Sequence, residues 1–370
     1  MLLRFVFIFH AVLMLLAFQA DGTLHANENQ SLSLRIAIVG DTGIGERAFH
    51  PGFLAVQRSM REFGANTLLH LGDFVYQPEW FPENCEQKYI DEISETLVQP
   101  YKNRIFVAGD NDLPPKKSKP KASGCWESIS KMQTSFDPYK YTDFDVKPRS
   151  LEGSITIGNV LFVVLNSYDW KDPTPWLKPL VKEARSKNQW VVFALHEPAV
   201  TTAWFIDKRQ TVLKHINSLN PDLVFAGNQH SYERYYPMGI PDEQGGLSPK
   251  SSETSLYVKG SGAIHIVSGG GGATFKPFAD LQGNGRRTAP KPVFEALAKR
   301  ALMNHFLILD VQPEKVIIRT YRVCPTPEDE LASNPRWKPH KSMWNDITLE
   351  CEGKNPGTSL YEQFEIIEKK

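Results

Sequence analysis

The sequence predicts a layered α/β fold, and two features support that prediction. Apolar, β-prone runs alternate with stretches of helical spacing along residues 34–226, the order expected of strands and helices that form a layered sheet. In addition, 41% of the 370 residues are apolar, enough to bury the core of one large α/β domain or two modest ones. No linker marks an internal boundary, so we expect one domain after the amino-terminal segment.

The elements follow one another regularly in the first two thirds of the chain. The predicted strands there cover residues 34–39, 67–71, 105–108, 160–165, 190–195 and 223–226. The predicted helices cover residues 53–63, 87–98, 176–186 and 206–219. Later strands, without long helices between them, are predicted at residues 264–268, 306–311, 316–323 and 364–367. The turn-like residues 312–315 predict a hairpin, so we expect a β-rich second layer in the same domain.

The amino terminus has the composition of a secretory signal. A basic residue precedes an apolar run that ends at Phe18, and small residues at Ala20 and Gly22 suit cleavage. The run is shorter than the roughly 20 residues that a bilayer span needs, which disfavours the alternative of a retained anchor. We expect residues 1–22 to be removed and residues 23–370 to form a single catalytic domain without a membrane span, in a secreted, lumenal or periplasmic protein.

Charge and cysteine content limit the partners. The 42 basic and 42 acidic side chains balance, so no whole-protein field favours nucleic acid, and we expect none as a partner. In an oxidising compartment all four cysteines could be paired. Cys85 and Cys125 lie in one region and Cys324 and Cys351 in another, which favours two local bridges over the other connectivities or free buried thiols.

Polar side chains follow five of the predicted strands. They are Asp41, Asp73 with Tyr76, Asp110 with Asn111 and Asp112, His196, and Asn228 with His230. Because the carboxyl ends of parallel strands lie along one edge of a sheet, we expect these groups to converge on one crevice. Carboxylates ~4 Å apart repel by several kcal/mol even at an effective dielectric near 20, so the cluster predicts a bound cation. Carboxylate, imidazole and phenolate ligands suit zinc, manganese or iron, and paired metals are a known device for splitting phosphate esters.

These strand ends resemble the five motif blocks of calcineurin-like metallophosphoesterases. The blocks are Gly40-Asp41-Thr42-Gly43, Gly72-Asp73-Phe74-Val75-Tyr76, Gly109-Asp110-Asn111-Asp112, His196 and Gly227-Asn228-Gln229-His230. The tyrosine in the second block, with Ser231-Tyr232-Glu233-Arg234 after the fifth, is similar to the purple acid phosphatase branch. The resemblance implies a four-layered α/β/β/α sandwich with a dimetal centre at the strand ends.

Carried over position by position, the resemblance implies a complete first metal site. Its ligands are Asp41, the bridging Asp73, Tyr76 and His230. A tyrosinate in this family ligates ferric iron, so the resemblance implies Fe3+ here, and phenolate is a hard anionic donor that suits a highly charged ion. A tyrosine packed beneath a loop is the alternative for Tyr76.

The implied second site departs from the family at two positions. Its ligands are Asp73, Asp110, His196 and Asn228. The family has an asparagine at the position of Asp110 and a histidine at that of Asn228, so this site is richer in oxygen and more negative by one charge. Oxygen donors favour manganese, magnesium or calcium over zinc, and the second divalent ion stays open among manganese, magnesium, zinc and iron.

A third departure concerns the leaving group. The family has a histidine at the position of Asn111, and an amide cannot donate a proton to a leaving alkoxide. Either Asp112 acts as the acid, or the substrates have good leaving groups, or efficient turnover is lost. We identify Asn111 and Asp112 as candidate catalytic positions.

The sequence therefore predicts a secreted dimetal phosphoesterase, similar to acid phosphatases, that hydrolyses a small phosphate ester with a metal-bound hydroxide. One alternative is a binding or scaffold protein on a catalytically weakened phosphatase fold. Another is a phosphodiesterase or nucleotidase with the same metal centre. We expect loops at residues 77–84 and 114–127 to set the leaving-group specificity.

Overall fold

The computed structural model describes residues 34–42, 51–76, 85–114, 124–134, 151–204, 206–243, 245–247, 249–273, 275–276, 278–282, 287–326, 351 and 353–369. The predicted signal at residues 1–22 lies outside these ranges, as does most of the two loops expected to set specificity. Among the described residues, no helix is both long enough and apolar enough to cross a membrane.

Strands and helices alternate along most of residues 34–226, and strands predominate after that. In chain order the strands are β1 (Leu34–Val39), β2 (Thr67–His70), β3 (Asn103–Phe106), β4 (Gly153–Ile157), β5 (Val160–Leu165), β6 (Trp190–Leu195), β7 (Leu223–Ala226), β8 (Tyr232–Tyr235), β9 (Leu256–Val258), β10 (Ile264–Ser268), β11 (Leu297–Ala301), β12 (Asn304–Val311), β13 (Lys315–Cys324) and β14 (Gly357–Ile367). The α-helices are α1 (Pro51–Arg61), α2 (Gln87–Glu92), α3 (Trp126–Ile129), α4 (Thr174–Ser186), α5 (Arg209–Ser218), α6 (Ala279–Gln282) and α7 (Lys291–Ala296). A π-helical segment, Ile93–Val98, continues α2, and a 3-10 turn, Ser130–Met132, continues α3.

The strands form two sheets of seven. The first has the order β3-β2-β1-β12-β13-β14-β9, and the second β11-β8-β10-β7-β6-β5-β4. Each contains a parallel group, β1 with β2 and β3 in the first, and β5, β6, β7 and β10 in the second. The predicted hairpin is confirmed, because β12 and β13 pair antiparallel and the Gln312 N–H donates to the Lys315 carbonyl at 2.8 Å.

The alternation of buried side chains along the strands explains the layering. Ile36 and Ile38 of β1 join a core that also contains Phe162 of β5 and Phe225 of β7, so the two sheets pack face to face. Side chains on the outer face of the first sheet pack against α1 and α2, and those on the outer face of the second pack against α4 and α5. The four-layered α/β/β/α sandwich is confirmed.

Most predicted elements are present, and five predicted strands have the same bounds in the structure: β1, β5, β6, β7 and β10. β4, β8, β9 and β11 were not predicted from the sequence. Residues 232–235 match only a motif in the sequence, but in the structure they form β8, which is fully buried and pairs with β10 and β11.

Two disulfide bonds join nearby segments, as predicted. Cys85 pairs with Cys125, and Cys324 pairs with Cys351. The first bond fixes the segment that contacts the candidate site, because the Cys125 N–H donates to the Asp112 carbonyl at 2.9 Å.

Candidate metal centre

The predicted ligands meet between the two sheets. Asp41, Asp73 and Asp110 follow β1, β2 and β3 of the first sheet, while His196 follows β6 of the second. Asn228 and His230 follow β7 of the second sheet. The expectation that one parallel sheet edge gathers all of these groups is therefore wrong, because two sheets packed face to face each supply one parallel set of strand ends.

Glycine is required where these strand ends approach one another. A Cβ atom at Gly109 would lie 2.0 Å from Asp73 Oδ1. At Gly227 it would lie 2.7 Å from Asp41 Oδ2 and 3.1 Å from His196 Nδ1. A buried strand thus ends in glycine at position 227 because a side chain would displace the candidate ligands.

Three of the candidate ligands have a left-handed backbone. The φ angles are +57° at Asp41, +56° at Asp73 and +63° at Asn228. L-residues with a side chain adopt this region at a cost, and such positions cluster at functional sites because the surrounding structure must hold them there. These three residues therefore adopt a backbone conformation that costs local stability and that orients their side chains and N–H groups.

The first predicted ligand set converges on the hydroxyl of Tyr76. Tyr76 Oη lies 2.7 Å from Asp73 Oδ2, 2.8 Å from His230 Nε2 and 3.1 Å from Asp41 Oδ1. Asp41 and Asp73 are fully buried. Donor atoms separated by about 3 Å are spaced like the ligands of a metal bound at about 2.0–2.2 Å. This set therefore fits a metal ion.

The phenol of Tyr76 would need a nearby cation to lose its proton and become a metal ligand. Burial, and then the carboxylates of Asp41 and Asp73, raise the pKa of Tyr76 well above its ordinary value. Without a cation the phenol stays protonated and donates to these carboxylates. A bound metal ion would reverse this preference, since nearby positive charge favours the anionic form.

The second predicted set is centred on His196. Its Nδ1–H donates to the Leu71 carbonyl at 2.6 Å, which directs Nε2 into the site. That Nε2 atom is buried, has no hydrogen-bond partner within the described part of the chain, and lies 3.4 Å from Asp73 Oδ2 and 3.5 Å from Asp110 Oδ1. Ligand atoms of Asp41, Asp73 and His196 also lie within 4.8 Å of one another, so the two sets adjoin. A buried imidazole nitrogen facing two carboxylates fits a second cation.

In this second ligand set, the ionisation of His196 and that of Asp73 strongly affect each other. Burial alone would lower the pKa of His196, but the neighbouring carboxylates, Asp73 foremost, raise it well above its usual range. Burial likewise opposes ionisation of Asp73, whereas His196 and Lys276 and the hydrogen bond from Tyr76 lower its pKa. The site thus stabilises anionic carboxylates together with positive charge.

Asn228 contacts the site mainly through its backbone. Its N–H donates to Asp41 Oδ2 at 2.8 Å, while its carbonyl oxygen accepts a hydrogen bond from Lys276 Nζ at 2.7 Å. The side-chain oxygen lies 3.4 Å from the same ammonium. Lys276 was not predicted from the sequence, because it follows a glycine-rich stretch and belongs to no motif.

Asn111 and Asp112, the candidate catalytic residues, both contact the Asp73 segment. The Asn111 side chain donates to Asp73 Oδ2 at 2.8 Å, and its backbone N–H donates to Asp73 Oδ1 at 2.9 Å. Asp112 is fully buried and accepts backbone N–H bonds from Asp73, Phe74 and Gly109 at 2.8, 2.9 and 3.0 Å. Both contacts hold Asp73 in place, and a catalytic role for either residue stays a prediction.

Tyr168 is a second residue that the sequence analysis missed. Its hydroxyl donates to Asp110 Oδ1 at 3.0 Å, and its ring centroid lies 6.1 Å from that of His196. Tyr168 lies three residues after the end of β5. The same signal that identified the other positions, a polar group just after a strand, could have found it.

Comparison with known proteins gives the same family as the motif blocks. The family described as Calcineurin-like phosphoesterase matches residues 34–232, more than half of the 370 residues. An uncharacterised protein of Mycobacterium tuberculosis is 30% identical over 122 residues, which cover 30% of this chain and 23% of that protein. An Arabidopsis thaliana protein named "Probable inactive purple acid phosphatase 1" is 26% identical over 131 residues, which cover 32% of this chain and 21% of that protein. The matched part of the chain thus spans less than a quarter of the length of either relative.

A solved structure shows the same fold. Purple acid phosphatase PPD1 from yellow lupin (Lupinus luteus) superposes with a TM-score of 0.59, at 16% identity, over 92% of this chain and 55% of that chain. At this identity the likeness shows the fold alone. The segment matched by the family contains every predicted metal ligand, from Asp41 to His230. The chain is therefore a member of the calcineurin-like phosphoesterase family.

Proposed function

We propose that this protein is a secreted, metal-dependent phosphatase that hydrolyses small phosphate monoesters, similar in activity to acid phosphatases. The observation that carries the proposal is the convergence of Asp41, Asp73 and His230 on the hydroxyl of Tyr76, within 2.7–3.1 Å. Such a donor set suits a highly charged ion better than it suits a structural hydrogen-bond network, because it brings two buried carboxylates together.

The proposed metal positions follow the two ligand sets. Asp41, Asp73, Tyr76 and His230 would hold the first ion, which we propose to be Fe3+. Asp73, Asp110, His196 and Asn228 would hold a divalent ion. When bound, such a pair supplies positive charge against phosphoryl oxygens and activates water near neutral pH.

Residues of the chain would hold this centre in a fixed geometry. Asp112 ties the backbone of Asp73 to that of Gly109, and the Leu71 carbonyl fixes the tautomer of His196. Lys276 places an ammonium beside Asn228, where we propose that it contacts a phosphoryl oxygen of the substrate. Preorganised charge of this kind is commonly the largest contribution to catalysis.

The leaving group would receive little help from a proton donor. The Asn111 amide donates to Asp73, and both side-chain oxygens of Asp112 accept backbone N–H bonds and are thereby held away from a leaving group. General acid assistance typically contributes 10²–10⁴-fold. We therefore propose that the preferred substrates are esters whose alcohols leave readily without protonation.

The scaffold alternative also rests on particular contacts. The Lys276 ammonium lies 3.4 Å from the side-chain oxygen of Asn228, where it competes with a metal ion for that oxygen. The Arabidopsis relative is named as probably inactive. A protein that keeps the fold but has lost efficient turnover would share these features.

Metal analysis combined with visible spectroscopy and phosphatase assays separates these functions. Our proposal predicts bound iron, a visible tyrosinate band that Tyr76→Phe abolishes, and hydrolysis of 4-nitrophenyl phosphate. A colourless, metal-free protein without turnover would instead support the scaffold. Faster hydrolysis of bis(4-nitrophenyl) phosphate than of the monoester would indicate a phosphodiesterase.

A further inference from the structure

A cavity of about 340 Å³ lies next to the candidate metal centre. Its walls come from the loop after β5, from the residues after β6, and from the start of α5. β5 and β6 are parallel, so the cavity lies beyond their carboxyl ends, where open α/β sheets bind ligands. Its volume is within the range of small-molecule sites, about 300–1,000 Å³.

Tyr168 forms a wall shared by the cavity and the metal centre. Its ring lines the cavity, while its hydroxyl donates to Asp110 Oδ1 at 3.0 Å. On the other side, Glu197 lines the cavity and directly follows His196. An ester whose phosphoryl group lies against Asp110 and His196 would therefore extend its alcohol portion into the cavity.

Two aromatic side chains in the cavity wall are held by hydrogen bonds. Trp170 Nε1–H donates to His215 Nδ1 at 3.2 Å, and the two rings are nearly parallel, at 14°, with centroids 6.3 Å apart. The hydroxyl of Tyr168 is likewise engaged by Asp110. Because the polar atoms of both rings already have partners, the parts of the rings that line the cavity present carbon atoms to a ligand, while Trp170 also packs against the core beneath it. Rings fixed in this way bind with little loss of conformational entropy.

The charged side chains of the cavity leave a small positive excess. Glu197 pairs with Arg209 at 2.9 Å and lies 3.9 Å from Lys208 Nζ, so one carboxylate faces two cations. Arg209 is 3% exposed, and its Nε atom has no hydrogen-bond partner among the residues that the structure describes. A neutral or anionic ligand with an acceptor group suits this lining, whereas a cationic alcohol such as choline or ethanolamine does not.

We propose that this cavity binds the leaving group of the substrate, and that the leaving group is a planar aromatic alcohol, neutral or anionic, of the phenol class. The inference rests on the proposed phosphatase function and names its substrate class. It agrees with the lack of a placed proton donor at Asn111, because phenols leave more readily than alkyl alcohols. It adds the cavity beside β5 and β6 to the specificity determinants predicted from the sequence, the loops at residues 77–84 and 114–127, most of which lie outside the described residues.

Two ester substrates and three variants test this inference. The substrates are 1-naphthyl phosphate and glycerol 2-phosphate, and the variants are Trp170→Ala, Trp170→Phe and Thr211→Trp. Loss of an aromatic contact typically costs about 1.4 kcal/mol, or tenfold. In Trp170→Ala we expect the ratio of kcat/KM for the naphthyl ester to that for the glycerol ester to fall about tenfold, mainly through KM. Trp170→Phe, which keeps a ring, should recover most of this ratio, and Thr211→Trp, which fills the cavity from α5, should lower it.

Calorimetric titration with 1-naphthol provides a readout that does not depend on turnover. We expect wild-type protein to bind the alcohol, and Trp170→Ala and Thr211→Trp to bind it at least tenfold more weakly. An unchanged ratio in both variants, or no binding of 1-naphthol to folded wild-type protein, overturns the inference even if both esters are hydrolysed. Naphthol binding that depends on Trp170, in a protein that hydrolyses neither ester, would support the cavity as an aromatic site while contradicting the proposed function.

Discussion

Asp112 should be among the residues on which both stability and metal binding depend most strongly. Its carboxyl group is fully buried and accepts hydrogen bonds from the backbone N–H groups of Asp73, Phe74 and Gly109. These three donors belong to the loops after β2 and β3, so a single side chain fixes two of the strand ends that carry candidate ligands.

The cost of removing this carboxyl group follows from the hydrogen bonds. Asp112→Ala leaves three buried N–H groups without an acceptor, and each such group typically costs about 1–3 kcal/mol. We expect the free energy of unfolding to fall by about 3–6 kcal/mol, since relaxation or water entry recovers part of the loss. Asp112→Asn keeps one acceptor oxygen but places an amide N–H₂ against a backbone donor, and a loss of about 1–3 kcal/mol is expected.

Urea denaturation followed by circular dichroism at pH 7 measures both variants. Asp169→Ala is a matched control, because that aspartate is 80% exposed and lies 3.7 Å from a lysine ammonium, a surface contact of small energy. Metal content measured on the same samples should fall in Asp112→Asn, which stays folded with a displaced Asp73. If Asp112→Ala unfolds within 1 kcal/mol of the control, the reasoning from the three backbone bonds is refuted.

Three further predictions concern the metal, the product and the pH dependence. Tyr76→Phe should weaken metal binding at least tenfold, because it removes the hydroxyl that contacts three other candidate ligands. Equilibrium dialysis against a competing chelator measures the affinity. An unchanged affinity would show that the tyrosine is no ligand. Lys276→Met should raise the inhibition constant of the product, inorganic phosphate, about tenfold, as expected for the loss of a charge-assisted hydrogen bond. A change below twofold would show that the ammonium does not contact the phosphoryl group. Burial lowers the pKa of His305 to about 4, so its contribution to stability is present above the unfolded pKa of about 6.5 and is lost as the pH falls towards 4. The variant His305→Gln should therefore show a shallower loss of unfolding free energy between pH 7 and pH 4, and parallel wild-type and variant curves would count against this assignment.

The identities of most candidate ligands could be predicted from the sequence, but the contacts between them could not. Polar residues after apolar runs identified Asp41, Asp73, His196 and His230 as candidates, because a strand end is a local pattern that burial and turn formation impose on neighbouring residues. The structure places all four within the two adjoining ligand sets. That Lys276 contacts Asn228 is a different kind of fact, because it depends on how segments 48 residues apart fold onto each other.

The sequence by itself determined the layered α/β class, the bounds of five strands and the pairing regions of the four cysteines, since each depends on the period of apolar residues or on position along the chain. Only the tertiary structure decided that the strand ends come from two sheets, that Asn111 and Asp112 face Asp73, and that a cavity with Trp170 in its wall adjoins Asp110. The physical reason is that hydrophobic periodicity records whether a side chain is buried but not which distant polar group it meets. The contacts between distant polar groups are fixed by the packing of whole sheets, to which every strand contributes.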